Sequence, residues 1–130
     1  MIERLAVDSN AIIVWFRSGN LEPLALHSAQ HLVLPLPVVG ELYTGVYSSK
    51  KRDSHLTLLE AFIGRHEILK PDEETARSYG RLRAELRLDN IGRSKTNDLW
   101  IAALCIQHGL PLLSNDHGFH AISNLTTIRW

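Results

Sequence analysis

Short apolar runs alternate with helix-like stretches along this chain, and that alternation restricts the fold more than any other feature. Arg4 to Val7, Leu32-Val33-Leu34, Glu67-Ile68-Leu69 and Leu110 to Ser114 are too short for helices, and each is mainly apolar. Such runs read as strands buried on both faces. Helical signals fill the gaps. Ser9-Asn10 can cap a helix through Ala11 to Phe16 that stops at Gly19, and Asn20 can cap another from Leu21 to about Gln30. Pro37 just precedes a helix from Val38 to Tyr47, and Asp53 or Ser54 opens one with Leu56, Leu59, Phe62 and Ile63 at helical spacing. Asp72-Glu73-Glu74-Thr75 places acids in a first turn ahead of the stripe Ala76, Tyr79, Leu82 and Leu86, with Asp89 to Gly92 as its end. Thr96 caps a helix to about Gln107 with Gly109 as its stop; a helical turn near Phe119 to Ile122 and a strand from Thr127 to Trp130 complete the chain. Strands separated by helices need crossovers, so the expected fold is α/β: a parallel β-sheet flanked by helices on both faces.

At 130 residues, with 45% apolar and 22% charged, the chain suits one domain over residues 1–130 with a core that needs no disulfide. Fourteen basic residues balance fourteen acidic ones, so net charge gives no argument for nucleic acid and any basic surface is local. Cys105 is the only cysteine. It excludes an intrachain disulfide or a thiolate cluster, and its neighbours Ala102-Ala103-Leu104 and Ile106 mark it as a core thiol. No segment reads as a signal peptide, and no run approaches the roughly 20 apolar residues that span a bilayer. A soluble, cytoplasmic protein without membrane contact is expected.

Four acids fall where an apolar run meets a turn or a helix start: Asp8, Glu41, Asp98 and Asp116. Carboxylates avoid apolar surroundings unless something pairs with them. Taken singly, Asp8 reads as an N-cap, Glu41 as a solvated helix residue, Asp98 as a complement to the helix dipole and Asp116 as a turn residue. Jointly they can meet beyond the carboxyl ends of the strands, where open parallel sheets form their sites. Carboxylates gathered there repel one another, and a hard cation relieves the repulsion; Mg²⁺ or Mn²⁺ prefers carboxylate and water oxygens. None of the seven histidines has zinc spacing. Such a site suits phosphodiester hydrolysis. There is no glycine-rich phosphate loop and no nucleophile backed by a base.

Four motifs carry a resemblance: Leu5-Ala6-Val7-Asp8-Ser9-Asn10, then Pro37-Val38-Val39-Gly40-Glu41-Leu42, then Asn97-Asp98-Leu99-Trp100-Ile101-Ala102, then Ser114-Asn115-Asp116-His117-Gly118-Phe119. In this order and spacing they resemble a PIN domain, most of all the VapC-type toxins of type II toxin–antitoxin modules, over essentially the whole chain. The resemblance implies a Mg²⁺-dependent endoribonuclease that cleaves RNA and is restrained by a small cognate antitoxin. A homodimer or a toxin–antitoxin hetero-oligomer is the implied assembly. It also implies that Asp8 and Asp98 are the principal metal ligands, that Asp116 helps at a second metal or through water, and that Glu41 orients or deprotonates the attacking water. Ser9 and Asn115 are implied as hydrogen-bonding support. Many relatives carry an acid where this chain has Gly118, so Asp116 stands alone in that corner. The proline often found just before the Asn97 motif is also missing from Arg93-Ser94-Lys95-Thr96.

A nuclease needs positive charge beside its acids to hold phosphates. Arg93 and Lys95 approach Asp98 from the preceding link, and Lys50-Lys51-Arg52 follows the Glu41 helix. Arg77, Arg81, Arg83 and Arg87 share a helix with Glu73, Glu74 and Glu85, where ion pairs explain them better. Trp15 and Trp100 lie in apolar helices and read as packing residues. His117 and His120 flank Phe119 and read as surface-loop residues, with proton transfer the other reading. Two alternatives to the toxin stay open at this level. One is a stand-alone PIN nuclease of RNA processing. The other is a non-catalytic receiver-like module, which fits poorly because the third strand leads to Leu69-Lys70-Pro71-Asp72 and no lysine follows Lys95.

Overall fold

The computed structural model describes residues 2–18, 29–86 and 96–130. Five parallel strands form one sheet in the order β3-β2-β1-β4-β5, where β1 is Ile2–Val7, β2 Ala29–Pro35, β3 Glu67–Leu69, β4 Leu112–Leu113 and β5 Thr127–Ile128. The helices are α1 (Ser9–Ser18), α2 (Leu36–Tyr47), α3 (Arg52–Ile63), α4 (Glu73–Leu86) and α5 (Thr96–His108). A short 3-10 helix, His117–Ala121, joins β4 to β5. The chain first winds outward from β1 through β2 to β3, then crosses to β4 on the other side of β1. Right-handed crossovers in opposite directions cover both faces of the sheet. The expected α/β sandwich is what forms.

The apolar strand ends are the reason the sheet sits at the centre. Leu5, Ala6, Val7, Val33, Leu34, Leu112 and Leu113 are each fully buried, as a strand covered on both faces requires. Helix α5 is buried nearly all round, through Leu99, Ile101, Ala102, Ala103, Leu104 and Cys105. Trp15 is buried, and Trp100 stacks on Tyr79 of α4 with ring centroids 4.2 Å apart, so both tryptophans are packing residues. Helix α4 starts where the acids place it: Asp72 Oδ1 accepts from the Thr75 backbone N–H and from Gln107 Nε2. The Arg77 guanidinium pairs with Glu73 and Glu74 on the same helix.

Several boundaries differ from expectation. The helix expected over Leu21 to Gln30 falls mostly outside the described residues, and its last two positions are strand: Ala29 pairs with Ile2 and opens β2. The sheet ladder outweighs helical propensity there. Helix α2 begins one residue before Pro37, a first-turn position where the missing N–H costs nothing. The last strand ends at Ile128 because the Trp130 backbone N–H donates to Asn115 Oδ1, a side chain, instead of to a strand. Asp89 to Gly92, Arg93 and Lys95 lie outside the described residues. Among the described residues, no helix is long and apolar enough to cross a membrane.

Candidate active site

Parallel strands put all their carboxyl ends on one edge, and the winding reverses between β1 and β4, which opens a crevice there. Asp8 leaves β1 into it, and Asp116 arrives from β4. Helices α1 and α2 begin where β1 and β2 end, so their first turns stand on the same edge, with Glu41 in the second turn of α2. Helix α5 leads into β4 and runs back against the strands, which brings its first turn, with Asp98, to that edge. The result is a cleft of about 420 Å³ lined by Asp8, Ser9, Asn10, Glu41, Thr96, Asn97, Asp98 and Asp116. All four acids singled out in the sequence line it.

Each acid is held differently. Asp8 is buried; Oδ1 accepts from the Ser9 backbone N–H at 2.8 Å and Oδ2 from Ser114 Oγ at 2.8 Å. Ser114, itself fully buried, also accepts the Asp116 backbone N–H at 3.1 Å, so one hydroxyl ties the ends of β1 and β4 together. Asp116 Oδ1 accepts from the Gly118 backbone N–H at 2.8 Å and caps the 3-10 helix. The Gly118 backbone N–H therefore orients Asp116. The Glu41 carboxyl is pushed up to about 7, chiefly by burial, then by the charges of Asp8 and Asp98, against a smaller downward pull from its hydrogen bond with Ser9. Its Oε1 is buried with no hydrogen-bond partner.

The donor set fits a hard divalent cation. Carboxylate, hydroxyl and amide groups line the cleft, with no thiol or imidazole among them, and oxygen donors select Mg²⁺ or Mn²⁺. A carboxyl forced toward neutrality by burial and by two acidic neighbours, with an oxygen lacking a partner, is where positive charge is missing. Among the described residues, no three His, Cys, Asp or Glu side chains form a cage by themselves. Mg²⁺ typically keeps several waters and takes one or two carboxylates, so it needs no such cage.

The remaining sequence candidates divide. Ser9 lines the cleft beside Glu41. Asn115 does not line it: its amide accepts from Trp130 N at 3.0 Å and donates to Trp130 O at 3.3 Å. Arg93 and Lys95 fall outside the described residues. Lys50, Lys51 and Arg52 line a separate depression beyond the end of α2. Sequence reasoning missed Ser114 and the wall formed by Asn10, Thr96 and Asn97. A small polar residue closing an apolar strand two positions before an acid was the available signal for Ser114.

Comparison with known proteins agrees with this fold. The family model described as PIN domain matches residues 5–125. The chain belongs to the PIN-domain family. It is 33% identical over 113 residues to Ribonuclease VapC2 of Rickettsia felis, which covers 86% of this chain and 82% of that protein. Among solved structures it resembles VapBC2 from Rickettsia felis bound to a DNA fragment from their promoter, with a TM-score of 0.84, 26% identity and 98% of each chain covered. It also resembles VapBC-5 from Mycobacterium tuberculosis, a member of the VapBC family of toxin-antitoxin systems, at a TM-score of 0.74, 26% identity and 98% of each chain.

Proposed function

We propose that this chain is a Mg²⁺-dependent endoribonuclease, with Mn²⁺ as a substitute, acting as the toxin of a type II toxin–antitoxin module. Glu41 is the observation that carries the catalytic reading. Its carboxyl lines the cleft beside Asp8 and Asp98 with one oxygen lacking a partner, where it can take a proton from a water in the cleft, as a general base must. The name of the Rickettsia felis relative, Ribonuclease VapC2, supports RNA as the substrate. The likeness to VapBC complexes supports an antitoxin partner.

Asp8, Asp98 and Asp116 would hold the ion. When bound, it supplies positive charge at the scissile phosphate and makes a nearby water more acidic. Glu41 takes the proton from the attacking water as the new P–O bond forms and the bond to the leaving oxygen breaks. Ser9 steadies Glu41 through its hydrogen bond, and Ser114 fixes which way Asp8 faces. Asn97 and Thr96 offer neutral donors to phosphate oxygens on the opposite wall. The antitoxin has an apolar surface to meet: Val14 on α1, Leu36 and Tyr47 on α2, and Leu58 on α3 are exposed on helices that pack in succession.

The test is RNA cleavage by isosteric variants. Asp98→Asn and Glu41→Gln should each lower Mg²⁺-dependent cleavage about 100-fold or more, with unchanged circular dichroism. An Asp98→Asn protein that cuts as fast as wild type would overturn the assignment.

A further inference from the structure

Beside the acidic cleft, three exposed side chains make a second cluster. Arg129 leaves the carboxyl end of β5, the same edge of the sheet that carries Asp8 and Asp116. Its Nε donates to His120 Nε2 at 3.1 Å, and its Nη2 reaches His120 Nε2 at 2.9 Å and His117 Nδ1 at 3.1 Å. A guanidinium only donates, so both ring nitrogens accept and each imidazole carries its proton on the other nitrogen. For His120 that nitrogen is Nδ1, 3.1 Å from Thr127 Oγ1. The two bonds between Asn115 and Trp130 clamp the chain just past Arg129.

This is an unusual way to hold an arginine. His117 directly follows Asp116, so acids are close at hand in the sequence, yet no carboxylate among the described residues pairs with Arg129. Two imidazole nitrogens, rather than a carboxylate, fix the plane of the guanidinium. Its Nη1 edge makes no hydrogen bond among the described residues. A planar, oriented and uncompensated guanidinium is suited to bidentate phosphate contact. A polyanionic strand entering a cleft of acids needs such a contact at the rim.

We propose that Arg129, positioned by His117 and His120, forms a phosphate-binding subsite for the RNA strand at the edge of the acidic cleft. The subsite rests on the endoribonuclease reading for its ligand.

The experiment measures binding of a short labelled single-stranded RNA, across a salt series, in an Asp98→Asn background that does not cleave. Arg129→Gln should weaken binding about fivefold and reduce the salt slope by about one. Arg129→Lys should restore the slope but not the full affinity, since it keeps the charge and loses the fork. His120→Ala should weaken binding about twofold to threefold at an unaltered slope, which a loss of charge would not produce. Arg65→Gln, at the opposite edge before β3, should change neither. If Arg129→Gln has no cooperative melt, the contrast between Arg129→Lys and His120→Ala decides. Wild-type affinity and slope in Arg129→Gln would overturn the subsite even if the wild-type chain cleaves RNA. Such a result with lost antitoxin binding would assign the cluster to protein docking and equally overturn it. Arg129-dependent RNA binding by a wild-type chain that never cleaves would remove the nuclease reading and keep the subsite.

Discussion

Asp8 and Glu41 share one cleft and are treated in opposite ways. Asp8 accepts a backbone N–H and a serine hydroxyl, whereas Glu41 has an oxygen with no partner and two acidic neighbours. This difference predicts a pH dependence of stability. The Glu41 carboxyl stands at about 7 in the folded chain against 4.5 as a free group. The folded state therefore holds more protons than the unfolded state between those values, and stability falls as pH rises through that window. Below it, both states are protonated and the penalty vanishes. Without divalent ions, Glu41→Gln should be more stable than wild type at pH 8 by roughly 1–2 kcal/mol, discounted for water in the cleft, and nearly equal to it at pH 4. Urea melts at the two pH values measure this. A gap of the same size at both would show that the Glu41 carboxyl is not raised. All four acids were legible in the sequence because each falls where an apolar run meets a turn or a helix start. Ser9 was legible beside Asp8, but Ser114 was not, since it and Asp8 are 106 positions apart.

Elements were legible where periodicity was strong and blurred where pairing set their ends. Helix α5 shows both. Its apolar run announced a buried helix, and Gly109 announced the stop. Gly109 sits at φ +64°, its N–H bonds Ile106 O, and the Leu110 N–H reaches back to Cys105 O at 2.8 Å, a helix-ending motif that requires the left-handed conformation. No atom lies within 4 Å of where a Cβ would stand, so a substitution meets strain alone. Gly109→Ala should cost about 1 kcal/mol, or roughly 3–5 °C in Tm by calorimetry. Gly45, inside α2 with open space around it, should respond in the opposite sense: Gly45→Ala should raise Tm slightly. Equal shifts in the two variants would contradict this account of the helix end.

The whole molecule holds its acids together only because the sheet does, so ion binding and folding should be linked. Saturating Mg²⁺, at about 100 times its Kd, should stabilise the chain by about 2.7 kcal/mol. Asp98→Asn should abolish that gain in thermal melts, and equal melts with and without Mg²⁺ would count against a metal site. The exposed apolar residues on α1, α2 and α3 argue for a partner at the same scale. Expression of the chain alone should arrest growth, and co-expression of a small neighbouring gene should rescue it. Harmless overexpression of the wild-type chain would favour the stand-alone RNA-processing nuclease.

The sequence by itself determined the alternation of strands and helices, the parallel sheet that follows from it, and the four acids at element ends. These depend on local pattern: burial periodicity, caps and breakers act over a few residues. Strand order decided the rest. Because β4 returns to the far side of β1, Asp8 and Asp116 face one crevice, and Ser114 can serve both. Because β5 lies beside β4, Arg129 stands over His117 and His120. Asn115, which reads as a site residue from its place beside Asp116, is bonded to the Trp130 backbone for the same reason. Such contacts join residues far apart in sequence, and only the packed sheet brings them within hydrogen-bond range.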